Sequence, residues 1–138
     1  MPKLDDCHDQ IARALQNDGW QVREKSVYVA NSNITNVIYI DMQAVKGQNG
    51  TAGRNIFVEA KCFDLPRRTA DLHRALGQYI VYRVILDESG LPDPLYLAVP
   101  ADSLAEYFNP QILRVVQRYG IKLVVVDLAE ERIIRWIE

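Results

Sequence analysis

The chain has 138 residues, 49% hydrophobic and 25% charged, with 16 basic and 18 acidic side chains for a net charge of −2. This length predicts a single domain spanning residues 1–138 whose core needs no staple. The near-neutral balance argues against tight, unaided DNA binding, because most free-standing nucleic-acid binders carry a clear basic excess. A local basic cleft, or a partner that supplies the grip, remains compatible with it.

Two cysteines, Cys7 and Cys62, cannot form a disulfide framework of the secreted kind, and no CxxC is present for zinc. No apolar stretch of signal-peptide length follows Met1. The longest apolar runs, such as Leu123 to Val126, fall far short of the ~20 residues of a membrane span. A soluble, cytoplasmic protein with no membrane contact is expected.

In chain order, the spacing of Leu4, Cys7, Ile11, Ala14 and Leu15 predicts a helix from Leu4 to Asn17, stopped at Asp18-Gly19. Alternation predicts a first strand over Trp20 to Ala30, followed by the turn Asn31-Ser32-Asn33. A second strand is expected from Val37 to Val45, with Val37, Tyr39 and Asp41 on one face and Ile38, Ile40 and Met42 on the other. The glycine-rich loop Lys46 to Gly53 joins it to a third strand, Asn55 to Phe63. There Phe57, Glu59 and Lys61 share a face opposite Ile56, Val58 and Cys62. Thr69 is the expected N-cap of a long helix reaching Leu86, with Leu72, Leu76, Tyr79, Ile80 and Arg83 in one stripe. Leu95 to Val99 reads as a strand covered on both faces. Two short helices (Pro100 to Phe108 and Pro110 to Tyr119), a buried strand (Ile121 to Leu128) and a last strand (Arg132 to Ile137) complete the order α-β-β-β-α-β-α-α-β-β. A mixed sheet flanked by helices follows, with its first three strands an antiparallel meander.

The chemistry-bearing set is Asp41 with Glu59-Ala60-Lys61. Antiparallel pairing of the second and third strands brings residue 41 close to residue 59, and alternation places Glu59 and Lys61 on one face. Carboxylates are hard ligands suited to Mg²⁺ or Mn²⁺. Such a metal lowers the pKa of a bound water and stabilises the charge of phosphodiester hydrolysis, while Lys61 orients the water or neutralises that charge. Asp41, Glu59 and the backbone carbonyl of Ala60 are the expected metal ligands. The plainer alternative is a structural salt bridge from Lys61 to Glu59 or Asp41. On the following helix, Gln78 shares a face with Asp71, Arg74, Ala75 and Tyr82 and is placed to reach a phosphate or hold the water. Arg67, Arg68 and Arg74 are candidate contacts to DNA phosphates.

At Tyr39-Ile40-Asp41, Phe57-Val58-Glu59-Ala60-Lys61-Cys62-Phe63, Ala75-Leu76-Gly77-Gln78-Tyr79 with Tyr82-Arg83, and Leu95-Tyr96-Leu97-Ala98-Val99-Pro100, the sequence closely resembles the XisH family, the fdxN-element excision controlling factors, chiefly of cyanobacteria. Ala14-Leu15, Asp18-Gly19-Trp20 and Trp136 extend the likeness over essentially the whole chain. The resemblance implies a restriction-endonuclease-like, PD-(D/E)xK core, with Asp41, Glu59 and Lys61 on the motif positions and Gln78 on the helix glutamine. It also implies a role in developmentally regulated (heterocyst) DNA rearrangement, as an accessory to a site-specific recombinase and alongside a second small factor, XisI. The family pattern has Ala-Glu-Lys after the aspartate where this chain has Ala44-Val45-Lys46, which removes a carboxylate and weighs against a two-metal site. Asp5, Asp6 and Asp9 are first-helix acids that the superfamily pattern also admits.

Other residues read as structural. His8 and His73 lack metal-ligand spacing, and Cys62 faces away from Lys61 as a core residue. The Gly47 to Gly53 loop does not match a phosphate-binding GxxxxGK[ST]. Trp20 and Trp136 read as packing residues, with an interface role for Trp136 near the C-terminus as the alternative. Three functions remain: a metal-dependent nuclease, a non-catalytic excision factor using the nuclease fold as a scaffold, and a partner-binding or homo-oligomeric module built on the apolar hairpin Ile121 to Ile137.

Overall fold

The described residues form eight strands and four helices in the order α1 (His8–Asn17), β1 (Gln21–Arg23), β2 (Val27–Val29), β3 (Ile38–Ile40), β4 (Met42–Lys46), β5 (Arg54–Ala60), α2 (Arg68–Glu88), β6 (Leu95–Pro100), α3 (Ala101–Tyr107), α4 (Pro110–Arg118), β7 (Leu123–Asp127) and β8 (Arg132–Ile137). The computed structural model describes residues 7–23, 27–29, 38–47, 53–63 and 68–138. The predicted start of the first helix at Leu4, the acids Asp5 and Asp6, the turn Asn31-Ser32-Asn33 and Arg67 lie outside these residues.

Six strands form one mixed sheet in the order β1-β4-β5-β6-β7-β8, and β2 and β3 form a separate two-stranded ribbon. The expected meander is present as β1, β4 and β5, antiparallel throughout. β5, β6 and β7 are then parallel, and β8 returns antiparallel on β7. Both parallel steps cross over through helices. Successive right-handed crossovers taken in one direction land on the same face. Accordingly, Leu72, Leu76 and Tyr79 of α2 and Val116 of α4 pack with Phe57, Leu95, Leu97, Val99, Leu123 and Val125. The opposite face holds Ile56, Val58, Tyr96, Ala98, Val124 and Val126 under Ile11, Ala12, Ala14 and Leu15 of α1. Burial on both faces is why Leu95–Pro100 is apolar without alternation.

One predicted strand is broken. The segment expected as Val37 to Val45 is interrupted at Asp41, between β3 and β4; of that expected as Trp20 to Ala30, β1 and β2 are the described strand parts, on either side of residues 24–26, which lie outside the described residues. The two segments remain antiparallel partners on both sides of Asp41, β1 with β4 and β2 with β3, with the register shifted by one residue; what ends at Asp41 is the ladder to β5, which β4 makes and β3 does not. Alternation reports which faces are buried, not where a ladder slips or ends, so the interruption at Asp41 is silent in the sequence. The third strand stops at Ala60, because the chain turns at Phe63, whose φ is +58°. Thr69 is not the N-cap of α2; the helix already includes Arg68, and Thr69 sits in its first turn.

The C-terminal hairpin is apolar because β7 is an interior strand. Only Ile134 of β8 is a large, strongly exposed hydrophobic, displaced into solvent where the β7–β8 register slips. Trp136 packs against Trp20 at 5.8 Å and edge-on against Tyr96 at 5.0 Å between ring centroids. The observation behind a partner-binding hairpin is thus accounted for by core packing. Among the described residues, no helix is long and apolar enough to cross a membrane.

The cysteines are not two separate core residues. Cys7, at the start of α1, is disulfide-bonded to Cys62, with a Cα–Cα distance of 5.9 Å, inside the roughly 4.4–6.8 Å span of ordinary bridges. A separation of 55 residues hides this pairing from the sequence.

Candidate functional site where two strands part

The site begins with a change of sheet. β3 pairs with β2, whereas β4, one residue further on, pairs with β1 and β5. Asp41 is the residue between them. Because Met42 is opposite Val58, Asp41 stands beside Glu59 where the β4–β5 ladder gives out. Buried backbone groups at such a point still need partners. Here the carboxylates supply them: the Asp41 N–H donates to Glu59 Oε1 at 2.8 Å, and the Ala60 N–H donates to Asp41 Oδ2 at 2.9 Å. Asp41 is 9% exposed and Glu59 5%. Two acids brought together in so dry a place cost free energy unless hydrogen-bonded, paired or metal-bound, and backbone donors meet part of that requirement.

Lys61 follows on the same alternation and is half-buried. Its backbone N–H donates to the Ala98 carbonyl of β6 at 3.0 Å. Among the described residues Lys61 makes no ion pair, so the plainer alternative, a structural salt bridge to Glu59 or Asp41, is not formed. The chain beyond Lys61 is tightly held. The Cys62 carbonyl accepts from Ser103 Oγ of α3 at 3.0 Å. Phe63 keeps its left-handed backbone, a conformation costing about 1–2 kcal/mol for a non-glycine residue, with its ring edge-on to Phe108 at 6.0 Å.

The helix face over the site carries Gln78 and Tyr82, one turn apart, with Gln78 Nε2 donating to the Tyr82 hydroxyl at 3.0 Å. Burial raises the Tyr82 phenol above its ordinary value; the Glu59 charge adds to the rise, the Gln78 hydrogen bond opposes it, and the Asp41 charge adds again. Tyr82 therefore lies within electrostatic reach of both acids. Sequence reading put it on the Gln78 face without giving it a role, although the i, i+4 spacing was the available signal.

The arginines fare differently. Arg67 is outside the described residues, and Arg68 is placed only as the first residue of α2. Arg74 is exposed and pairs loosely with Asp71 at 3.9 Å, so it is not drawn to the acids. Arg83 donates to the Gly120 carbonyl at 2.8 Å and lies over the Tyr79 ring, a structural use. Asp9 is exposed on α1, the helix that covers the other sheet face. Val45 pairs with Gln21 and Asn55 at the far end of β4, about 13 Å along an extended strand from Asp41. A carboxylate at position 45 would not belong to this site, so its loss says nothing about it.

Among the described residues no group of three or more His, Cys, Asp and Glu side chains converges. Two buried carboxylates still fit a magnesium-like ion, which keeps several waters and takes only one or two protein carboxylates. Ladder parity puts the Ala60 carbonyl on the same edge of β5 as its N–H, the edge facing Asp41.

Fold and site together define a mixed α/β domain, a six-stranded sheet with helices on both faces and a buried acidic pair where two strands diverge. The chain belongs to the XisH protein family, which it matches over residues 1–134. It is similar to the crystal structure of an XisH family protein from Nostoc punctiforme, at 27% identity and TM-score 0.82, covering 97% of this chain and 100% of that one. It is also similar to an fdxN element excision controlling factor protein from Anabaena variabilis, at 27% identity and TM-score 0.80, with 97% and 100% covered. A comparison with curated proteins finds no match.

Proposed function

We propose that this chain is an accessory factor controlling excision of a DNA element and carries a restriction-endonuclease-like (PD-(D/E)xK) site that hydrolyses phosphodiester bonds with Mg²⁺ or Mn²⁺. The observation that carries this reading is the buried Asp41–Glu59 pair at the strand divergence, with Lys61 two residues on and outside any ion pair among the described residues. The same strand alternation that buries Glu59 sets Lys61 on its face, where its ammonium would meet a bound phosphate.

A divalent cation bound there supplies Lewis-acid polarisation and an acidified water. Asp41 and Glu59 would hold it through carboxylate oxygens, with the Ala60 carbonyl as third protein ligand. Lys61 would neutralise negative charge developing on the scissile phosphate, a role for a positioned cation. Gln78, its amide steadied by Tyr82, would hold the water or a phosphate oxygen. Arg67, Arg68 and Arg74 would contact the DNA backbone. The excision role rests on family membership and on the description of the Anabaena variabilis protein; DNA, an XisI-type protein and a site-specific recombinase are its proposed partners.

Calorimetry with Mn²⁺ on the wild type and Glu59→Ala tests the site, together with a cleavage screen on single-stranded, duplex and branched DNA. Binding that disappears in Glu59→Ala is expected, and equal binding in both would sink the assignment. One observation favours a second reading, a non-catalytic scaffold acting through a recombinase or XisI-type partner. Both carboxylates already serve the fold by accepting backbone N–H groups, which gives them a purpose without metal. Under that reading Lys61→Ala supports normal excision; under the first, excision fails.

A further inference from the structure

Among the described residues, the strand end that carries Lys61 is laddered on one side only. Beyond Ala60 the chain keeps its bond to β6, Lys61 N–H to Ala98, but on the other side the ladder to β4 ends at Met42 and β3 does not continue it. The Cys7–Cys62 bridge occupies the very next residue and ties this end to α1. Ser103 fixes the Cys62 carbonyl, and Phe63 is held in a left-handed conformation immediately after. A strained residue of that kind persists only where its surroundings over-determine it. Removing one restraint frees the corner to relax.

We propose that the Cys7–Cys62 bridge is a redox switch on the Asp41–Glu59–Lys61 site, holding the Lys61 strand end in place when oxidised and releasing it when a dithiol reduces the bond. Its effect on metal binding rests on the reading of the site given above; its effect on the strand end does not.

A 138-residue chain with a core on both sheet faces has no need of a disulfide for stability, so the position of the bridge carries the meaning. In a reducing compartment, a bridge of this kind is typically transient and catalytic or redox-sensing. The local chemistry suits exchange. Cys62 Sγ accepts the Cys7 N–H at 3.0 Å, at the positive end of α1, so a thiolate formed on Cys62 is stabilised and departs readily. Both cysteines are 3% exposed, so the reductant enters by opening of the first turn of α1, whose N-cap, Cys7, makes no side-chain capping bond.

A thiolate of the dithiol attacks Cys7 Sγ; the Cys7–Cys62 bond breaks and its electron pair leaves on Cys62 Sγ. The second dithiol sulfur then attacks the mixed disulfide and releases Cys7. The dithiol is oxidised by two electrons to its disulfide, and its two protons end on the protein thiols. No other cysteine exists to divert the exchange, since the chain has only two.

The test compares the full chain oxidised and after dithiothreitol in native buffer, by thiol titration, hydrogen exchange and Mn²⁺ calorimetry. Two thiols are expected to appear without denaturant, with amide exchange across residues 59–63 faster by roughly tenfold or more and Mn²⁺ affinity weaker by roughly tenfold. Cys7→Ser is expected to match the reduced protein and to ignore dithiothreitol; if it does not fold, the reduced wild type carries the comparison. Free thiols in the protein purified without reductant, reduction only in denaturant, or equal exchange in both states would each overturn the switch. Equal Mn²⁺ affinity in both states overturns its coupling to the site. Failure of the oxidised protein to bind Mn²⁺ refutes the metal-site reading and that coupling, leaving the exchange data to decide the movement of the strand end.

Discussion

Glu59 accepts the backbone N–H of Asp41, and Asp41 in turn accepts the N–H of Ala60, so each acid holds the other's strand where the ladder ends. Fold and candidate chemistry are thereby joined in the same two side chains. The two uses can be separated by substitution. Asp41→Ala leaves the Ala60 N–H buried and unsatisfied and is expected to lower stability by about 1–3 kcal/mol. Asp41→Asn keeps an acceptor oxygen and should retain most of that stability while weakening Mn²⁺ binding. Urea unfolding and calorimetry on the pair decide it, and equal stability loss in both variants would count against this division of roles.

Lys61→Met is expected to change stability by no more than about 0.5 kcal/mol, as for a partly exposed residue with no ion pair among the described residues. Mn²⁺-dependent cleavage, where the wild type shows it, should fall to background. A large loss of stability would mean that Lys61 is structural after all.

Tyr79 joins three elements: its hydroxyl donates to the Leu95 carbonyl at 2.7 Å and accepts the Lys122 N–H at 3.1 Å. Tyr79→Phe leaves both backbone groups short of a partner in a buried place, so a loss of about 1–3 kcal/mol is expected. Chemical denaturation measures it, with metal binding unchanged as the internal control.

Alkaline pH should weaken the fold through its tyrosines. Burial, and then the hydrogen bond and charge of Glu138, push the Tyr96 phenol up to about 12 from 10.0; burial foremost raises Tyr79 and Tyr82 as well. The folded state therefore keeps protons that the unfolded chain gives up near pH 10.0. Stability from these groups is constant below that pH and falls as pH rises toward the folded values. Urea midpoints on either side of pH 10.0 show the decline, and Tyr96→Phe should flatten it.

At the start of α4, Asn109 Oδ1 accepts the Ile112 N–H at 2.9 Å, with Pro110 at the first helical position. Asn109→Ala removes this cap and is expected to cost about 0.5–2 kcal/mol, readable by thermal unfolding.

Much of this arrangement was legible before any coordinates. The apolar run Leu95 to Val99 announced a strand covered on both faces, and β8 occupies Arg132–Ile137 as expected. The closeness of residue 41 to residue 59 followed from a hairpin and strand parity alone. The break at Asp41, the start of α2 and the use of Arg83 did not. Each depends on where a ladder or helix ends, or on which distant group a side chain meets, and local pattern leaves these open: β4 laddered to β5 where β3 is not, Arg68 within the helix, the guanidinium of Arg83 with Gly120.

Periodicity fixes which face of each segment is buried, because burial repeats with the helix or strand period, and so the sequence by itself determined the elements, their faces and the chemical types at the site. Partnership between distant segments has no period. Only the tertiary structure decided that β3 leaves the sheet at Asp41, that two carboxylates complete the broken ladder, and that Cys7 meets Cys62 beside Lys61. These contacts arise where separate elements close on one another, and their free energy belongs to the assembled fold rather than to any stretch of chain.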